Sequence, residues 1–388
     1  MDGVNDLEPY LETFDAESGY LNWASFGPLS PAVRAEAQAD AELLGTGRRG
    51  GIDLVSSRIG EARELLAAML GVAGDEVTLQ PSTTYGLMQA LFGVSGELLV
   101  APHEFPALTV TARRAADARG LLRVHDLPDG PVTPDAVRAA LTDETTAVAL
   151  SLVDYRTGYL ADLGAVRDVI GDRLLIVDAI QAFGVVEADW TAADVVCGNG
   201  YKWLRAGRGT GFAWFSDRAR ERIEPILSGV SGMDGDLSSV GVPAPVGTAA
   251  AYTVSPADPL AAARLATALR EIQAAGVAAI AAQLRERARD VMTLADRYGV
   301  PVLTDRERHA GIVALAPEPA EAGHLAAALA NHGVTATARG GTIRLSPHIG
   351  TGADTFVLLG DALAEASAGR MSLEAATSGT TDVVVSGS

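Results

Sequence analysis

Two stretches decide how this chain is read: LLIVDAIQAFG at residues 174–184 and GNGYKWLRAGRGTGFAWF at residues 198–215. The first opens on four consecutive apolar residues and then meets a carboxylate, Asp178. A short run without polar alternation suits a strand buried on both faces of a mostly parallel sheet. The second stretch lies between two runs of the same style, VVCG (195–198) and GFAWF (211–215), and carries a Gly-rich turn. Working outward, LLVAP (98–102) and TAVALSLV (146–153) repeat the pattern, and Val77 to Leu79 reads as a shorter strand. Helical spacing fills the gaps from Ile59 to Leu70 and from Thr83 to Phe92, and a helix begins near Ser30-Pro31, a favoured cap and first-turn pair. Buried strands alternating with helices predict an α/β fold.

The chain has 388 residues, enough for two or three structural units. Residues 1–20 read as an acidic arm and 21–254 as the large α/β domain. Residues 255–368 read as a small C-terminal α+β domain. That domain starts with two long Ala-rich helices (255–276 and 277–299). Strands GIVAL (311–315) and TIRLS (342–346) flank a helix from Pro319 to His332, and a last helix runs from Asp354 to about Ala366. Residues 369–388, small and polar at the end, read as a flexible tail. Hydrophobic residues at 48% exclude a disordered chain, and a formal charge of −19 argues against nonspecific binding to nucleic acid or an anionic membrane. One cysteine, Cys197, allows no intrachain disulfide and suggests a reducing cytoplasm. The start, MDGVNDLEPYLETFD, lacks the pattern of a signal peptide, and no apolar stretch approaches the ~20 residues that cross a bilayer.

Asp178 falls at the carboxyl end of its strand, where open α/β sheets bind ligands. Alone it would suit a helix cap or turn; Gln181, three residues on, can share its surroundings. Lys202 is the only lysine in the chain; every other Lys or Arg is arginine. A guanidinium stays protonated and forms no Schiff base, whereas a desolvated amine can, so a lone lysine marks a position where arginine will not serve. In VTLQPSTTYGLMQAL, Ser82, Thr83 and Thr84 stand between strand and helix, where hydroxyls and first-turn amides hold a phosphate or simply cap the helix. A phosphate cradle, an acid for a ring nitrogen and a lysine for an aldehyde together describe pyridoxal phosphate.

DAIQ, then YKWLRAGRGTGF, then TIRLSPHIGT, with LNWASFGP near the start, resembles the class V aminotransferase superfamily of fold-type I pyridoxal-phosphate enzymes. The resemblance covers roughly residues 20–366. It implies Lys202 as the Schiff-base lysine and proton shuttle, Asp178 as the acid at the ring nitrogen, and Gln181 as the donor toward the ring's phenolic oxygen. Phe105 in HEFPAL matches the ring-stacking aromatic, with His103 the competing choice. Ser82, Thr83 and Thr84 match the phosphate loop, with Asn199 just before the lysine. Tyr155 falls where many relatives carry an asparagine near the ring oxygen. Arg344 in TIRLSPH matches the arginine that clamps the substrate carboxylate, a role its planar fork suits; a structural salt bridge is the alternative. Thr248 in PVGTAAAY matches a threonine reaching the phosphate of a neighbouring subunit, which implies a homodimer with shared active sites.

Cys197 sits inside a strand run and does not match the family's mobile-loop nucleophile, so a persulfide-forming desulfurase is not expected. Six histidines show no metal-ligand spacing, GRGTG reads as a tight turn, and Arg48 and Arg49 as solvated charges. The implied activity is cofactor-dependent processing of an α-amino acid, with side-chain cleavage or β-elimination ahead of transamination. A catalytically inactive regulatory or scaffold homologue is the third reading.

Overall fold

The computed structural model describes residues 7–235, 238 and 241–378. Its largest element is a seven-stranded sheet built from β1 (Val77–Gln80), β2 (Gly96–Val100), β3 (Leu122–Asp126), β4 (Thr145–Ser151), β5 (Leu174–Asp178), β6 (Val195–Asn199) and β7 (Gly211–Phe215). The order is β1-β7-β6-β5-β4-β2-β3. Only β7 runs against its neighbours, pairing antiparallel with both β1 and β6. Strands β5, β6 and β7 are buried at every position, as strands covered on both faces must be. Edge strand β3, LRVHD, is the element that the run-based reading overlooks; its polar side chains are partly exposed because one flank has no partner strand.

Ser30 accepts the Val33 N–H at 3.2 Å and starts the Pro31–Gly45 helix, with proline in the first turn. Ser82 caps the Thr83–Gly93 helix in the same way. Leu87, Ala90 and Leu91 of that helix join Leu98, Ala149, Ile176, Val195 and Phe215 of the sheet in one apolar core.

The chain forms two compact units. The first comprises the described residues of Met1–Phe14 with Ala24–Tyr155 and Tyr159–Ala282; the second comprises Asp15–Trp23, Arg156–Gly158 and the described residues of Gln283–Ser388. The boundary expected at 254/255 therefore moves. The Pro259–Ala275 helix belongs to the first unit, where it packs on the Pro31–Gly45 and Arg58–Leu70 helices. Its alanines at 261, 262, 263, 266, 268 and 275 are all buried, which lets helix axes approach closely. The expected arm also divides, because residues 15–23 belong to the second unit.

The second unit has an antiparallel sheet, β8 (Val313–Leu315), β10 (Thr342–Leu345) and β9 (Thr337–Arg339) in that spatial order. Tyr20 and Asn22 bridge in parallel to Thr335 and Ser346, and Leu21 is fully buried among Val291, Val313, Leu329 and Leu345. The last helix runs Ala353–Ser378, longer than expected, so the predicted tail begins inside it; residues 379–388 lie outside the described part. Among the described residues no single helix is long and apolar enough to cross a membrane.

Candidate active site

Strands β1, β2, β4, β5 and β6 share one direction, so their carboxyl ends open on the same edge of the sheet. That edge is where α/β sheets place ligands. Asp178 is the last residue of β5 and only 2% exposed; its Oδ1 accepts the Ile180 N–H at 2.9 Å. Burial pushes its carboxyl up to about 6, against the lowering effects of that N–H and of the Lys202 ammonium. Lys202 follows β6 by three residues and is itself buried. Its Nζ stands 5.8 Å from the centre of the Phe105 ring, and Tyr155 meets that ring edge-on at 5.1 Å. Phe105 is 38% exposed in spite of its size, so this aromatic borders open space beside a buried amine. Such an arrangement suits a flat, conjugated ligand. His103, the competing stacking candidate, instead has its Nδ1 2.9 Å from Asp129 Oδ1.

Gln181 is held from two sides. Its Nε2 donates to the Ala24 carbonyl at 3.1 Å and its Oε1 accepts from Trp203 Nε1 at 2.8 Å. The amide nitrogen carries a second N–H, which is the donor a phenolic oxygen would need. Asn199 braces the lysine turn, accepting from the Tyr201 N–H at 3.2 Å and from Thr210 Oγ1 at 3.1 Å.

The turn after β1 supplies a cradle. Ser82 Oγ accepts the Tyr85 N–H at 3.4 Å, the cap expected of a serine there. Thr83 is 3% exposed, and among the described residues its Oγ1 has no hydrogen-bond partner. A buried hydroxyl left in that state costs about 1–3 kcal/mol, which an anionic oxygen would offset. A Cβ on Gly211 would lie 2.7 Å from the Ser82 backbone, so β7 lets the turn approach only because residue 211 is glycine. With Thr84, these groups fit the phosphate of pyridoxal phosphate. Asp178, Gln181, Phe105 and Lys202 fit its ring and aldehyde.

Sequence reasoning missed the supports. Gly27, in the quoted LNWASFGP, donates its N–H to Tyr201 O at 2.9 Å, and a Cβ there would lie 1.9 Å from the Lys202 carbonyl oxygen. Arg205 adopts φ 61°, rare for a side chain of its size, and is fully buried. Its guanidinium donates to Pro28 O at 3.2 Å and to Thr13 Oγ1 at 2.7 Å, and stacks 3.9 Å from the Phe14 ring centre. Glu104, beside Phe105, is a buried carboxylate that accepts from Ser151. Its sequence signal, an acid two residues after the apolar run LLVAP, does not point to Ser151.

Arg344 lies half-buried on the middle strand of the small sheet, in register with Ala314 and Thr337. Thr248 is half-buried and directly precedes the 3₁₀ turn Ala249–Tyr252. Arg48 and Arg49 are exposed, and Arg49 lies 3.6 Å from Asp53 one helical turn on, a solvated pair. Among the described residues no group of His, Cys, Asp and Glu is placed to hold a metal ion.

The sheet, with a buried lysine and acid at its carboxyl edge, has the architecture of the fold-type I pyridoxal-phosphate enzymes. The chain belongs to the aminotransferase class-V family, whose model matches residues 37–356. It is 29% identical over 253 residues to kynureninase from Burkholderia mallei (strain SAVP1), a match covering 59% of each chain. It thus spans about three fifths of the length of the curated relatives it matches. In fold it is similar to the apo cysteine desulfurase from Thermococcus onnurineus NA1, with a TM-score of 0.81, 18% identity, and coverage of 91% of this chain and 95% of that one. It is also similar to a C-DES variant with glycine covalently linked to its PLP cofactor, with a TM-score of 0.80, 19% identity, and coverage of 91% and 97%.

Proposed function

We propose that this enzyme cleaves the side chain of an α-amino acid, by β-elimination or a related Cβ-directed step, without a cysteine relay. The observation that carries this reading is the placement of Cys197. It is the only cysteine in the chain, wholly buried on β6, with its Sγ 3.0 Å from where a Cβ on Gly86 would sit. Burial, and then the charge of Asp178, push its thiol well above the ordinary range. A protonated, enclosed thiol cannot attack a sulfur on the substrate, so a leaving group departs to solvent. Cysteine desulfurase and cystine C–S lyase, the names borne by similar solved structures, both denote breaking a carbon–sulfur bond. Their likeness is consistent with a side-chain-cleaving reaction.

Pyridoxal phosphate, when bound, supplies an aldehyde for the substrate amine and a ring that draws electrons from Cα. Asp178 would hold a proton at the ring nitrogen, Gln181 would donate to the phenolic oxygen, and Phe105 would stand against the ring. Ser82, Thr83 and Thr84 would hold the phosphate. Lys202 would hold the aldehyde and would move the proton at Cα. Arg344 orients the substrate carboxylate, and Thr248 completes the phosphate site of a second copy. Transfer of the amino group to a 2-oxo acid is the second reading; it uses the same residues and differs in where Lys202 returns the proton.

The deciding experiment incubates the enzyme with amino acids and S-substituted cysteines while following ammonia and the visible band of the bound cofactor. β-Elimination releases ammonia and a 2-oxo acid, whereas a cleavage that returns a proton to Cβ releases alanine; both leave the band intact, and Cys197→Ala should keep either activity. Stoichiometric bleaching without ammonia would favour transfer, and loss of turnover in Cys197→Ala would restore a desulfurase.

A further inference from the structure

Glu104 is the buried acid for which the functional reading has no use. It sits in the loop after β2, directly before Phe105, whose backbone opens the Pro106–Arg119 helix. Both carboxylate oxygens are engaged by one residue: Oε1 accepts the Ser151 N–H at 2.8 Å, and Oε2 accepts Ser151 Oγ–H at 2.5 Å. Ser151 is the last residue of β4 and lies in register with Asp178 on β5. The two-point bond therefore ties the loop bearing Phe105 to the strand beside the one bearing Asp178. Its second end is fixed by the sheet itself, since the Leu152 N–H donates to Asp178 O at 3.0 Å.

The cost of this arrangement shows that it is not incidental. Burial, with the neighbouring charges of Asp178 and Asp154, pushes the Glu104 carboxyl up to about 7 in spite of the two Ser151 bonds. A neutral side chain or an apolar one would fill the space more cheaply. What the carboxylate adds is two acceptors in a fixed plane, one residue before Phe105. That residue is the one whose ring faces Lys202.

We propose that Glu104 is a positioning residue that, by clamping the loop to Ser151, holds the Phe105 ring against the face of the cofactor. The inference rests on the reading of Phe105 as the ring-covering residue, and the test separates the two. The readouts are the cofactor dissociation constant, from titration of cofactor-free protein with pyridoxal phosphate, and the induced circular dichroism of the bound cofactor's visible band. Neither depends on turnover.

Phe105→Leu removes the aromatic face, and Glu104→Ala removes the clamp. Each should weaken cofactor binding about tenfold, the scale of one aromatic contact or one good buried hydrogen bond. Each should also reduce the dichroic band. The double variant should be about as weak as either single one, because residues acting through one contact do not add. Glu104→Gln, which keeps an acceptor and the shape, should retain most of the dichroism. If Glu104→Ala does not fold, Ser151→Ala removes one of the two bonds and should give the same non-additive pattern with Phe105→Leu at smaller size. Unchanged affinity in Phe105→Leu would remove the stacking role itself. A weakened Phe105→Leu with a normal Glu104→Ala, or a double variant weakened about a hundredfold, would overturn the clamp alone.

Discussion

Lys202 and Asp178 were legible for opposite reasons: one is unique in the chain, the other interrupts an apolar strand. Borohydride treatment of the loaded enzyme should fix the cofactor on the peptide containing Lys202, and Lys202→Ala should give no adduct there. An adduct on the N-terminal amine would move the aldehyde site. Arg344→Lys keeps the charge and loses the fork, so amino-acid affinity should fall about tenfold or more while cofactor affinity holds; an unchanged substrate affinity would place the carboxylate elsewhere. Asp178 also makes a pH prediction for the cofactor-free protein. Its carboxyl titrates near 3.8 when unperturbed and near 6 in the fold, so between these values the folded state holds more protons. Stability then falls as pH rises through that window. Glu104, raised to about 7, extends the loss upward. Melting temperatures at about pH 5 and about pH 8 should therefore differ less for Asp178→Asn than for the natural chain. Equal differences would return Asp178 to its ordinary range. Glu104 escaped the sequence reading because its meaning lies in Ser151, which no spacing rule connects to it.

At the scale of elements, the turn from β1 into the Thr83–Gly93 helix offers the sharpest separation of stability from binding. Thr83 Oγ1 has no partner among the described residues, so Thr83→Ala should leave the cofactor-free melting point unchanged or raise it slightly. The same substitution should weaken pyridoxal-phosphate binding about tenfold, the worth of one charge-assisted hydrogen bond. A lower melting point with normal affinity would make the hydroxyl structural. Central strands were readable because burial on both faces leaves an uninterrupted apolar run, as in LLIVD. LRVHD was not, since an edge strand carries polar residues wherever one side meets solvent. The Pro259–Ala275 helix exposes a different limit. Alanine spacing reveals that a helix packs closely, but not that its partners are the helices at 31–45 and 58–70. The lysine turn was read correctly as Gly-rich, yet its main constraint comes from Gly27, 175 positions earlier, through a contact visible only in space.

Over the whole molecule, the fold and cofactor are those of the class V family, while the reaction depends on groups a shared fold does not dictate. Cys197 bears on that choice in the proposed reading, because the one thiol of the chain is enclosed. The division into units has a consequence for how the protein is made. Asp15–Trp23 belongs to the second unit, but nearly all the rest of that unit begins at Gln283, which is 260 positions after Trp23. At about 5–20 residues per second, a ribosome needs roughly 13–50 s to cover that interval. Meanwhile Leu21, which ends up wholly enclosed, has emerged without the surface that will enclose it, while the first unit's sheet is already being synthesised. The second unit therefore cannot finish until both ends of the chain are present. A fragment beginning at Gln283 should melt below the intact protein's transition or show none, and fusing residues 15–23 to it should recover cooperative melting. If the bare fragment folds as well as the fused one, the early segment is an addition to that unit, and the nascent chain has no need to wait.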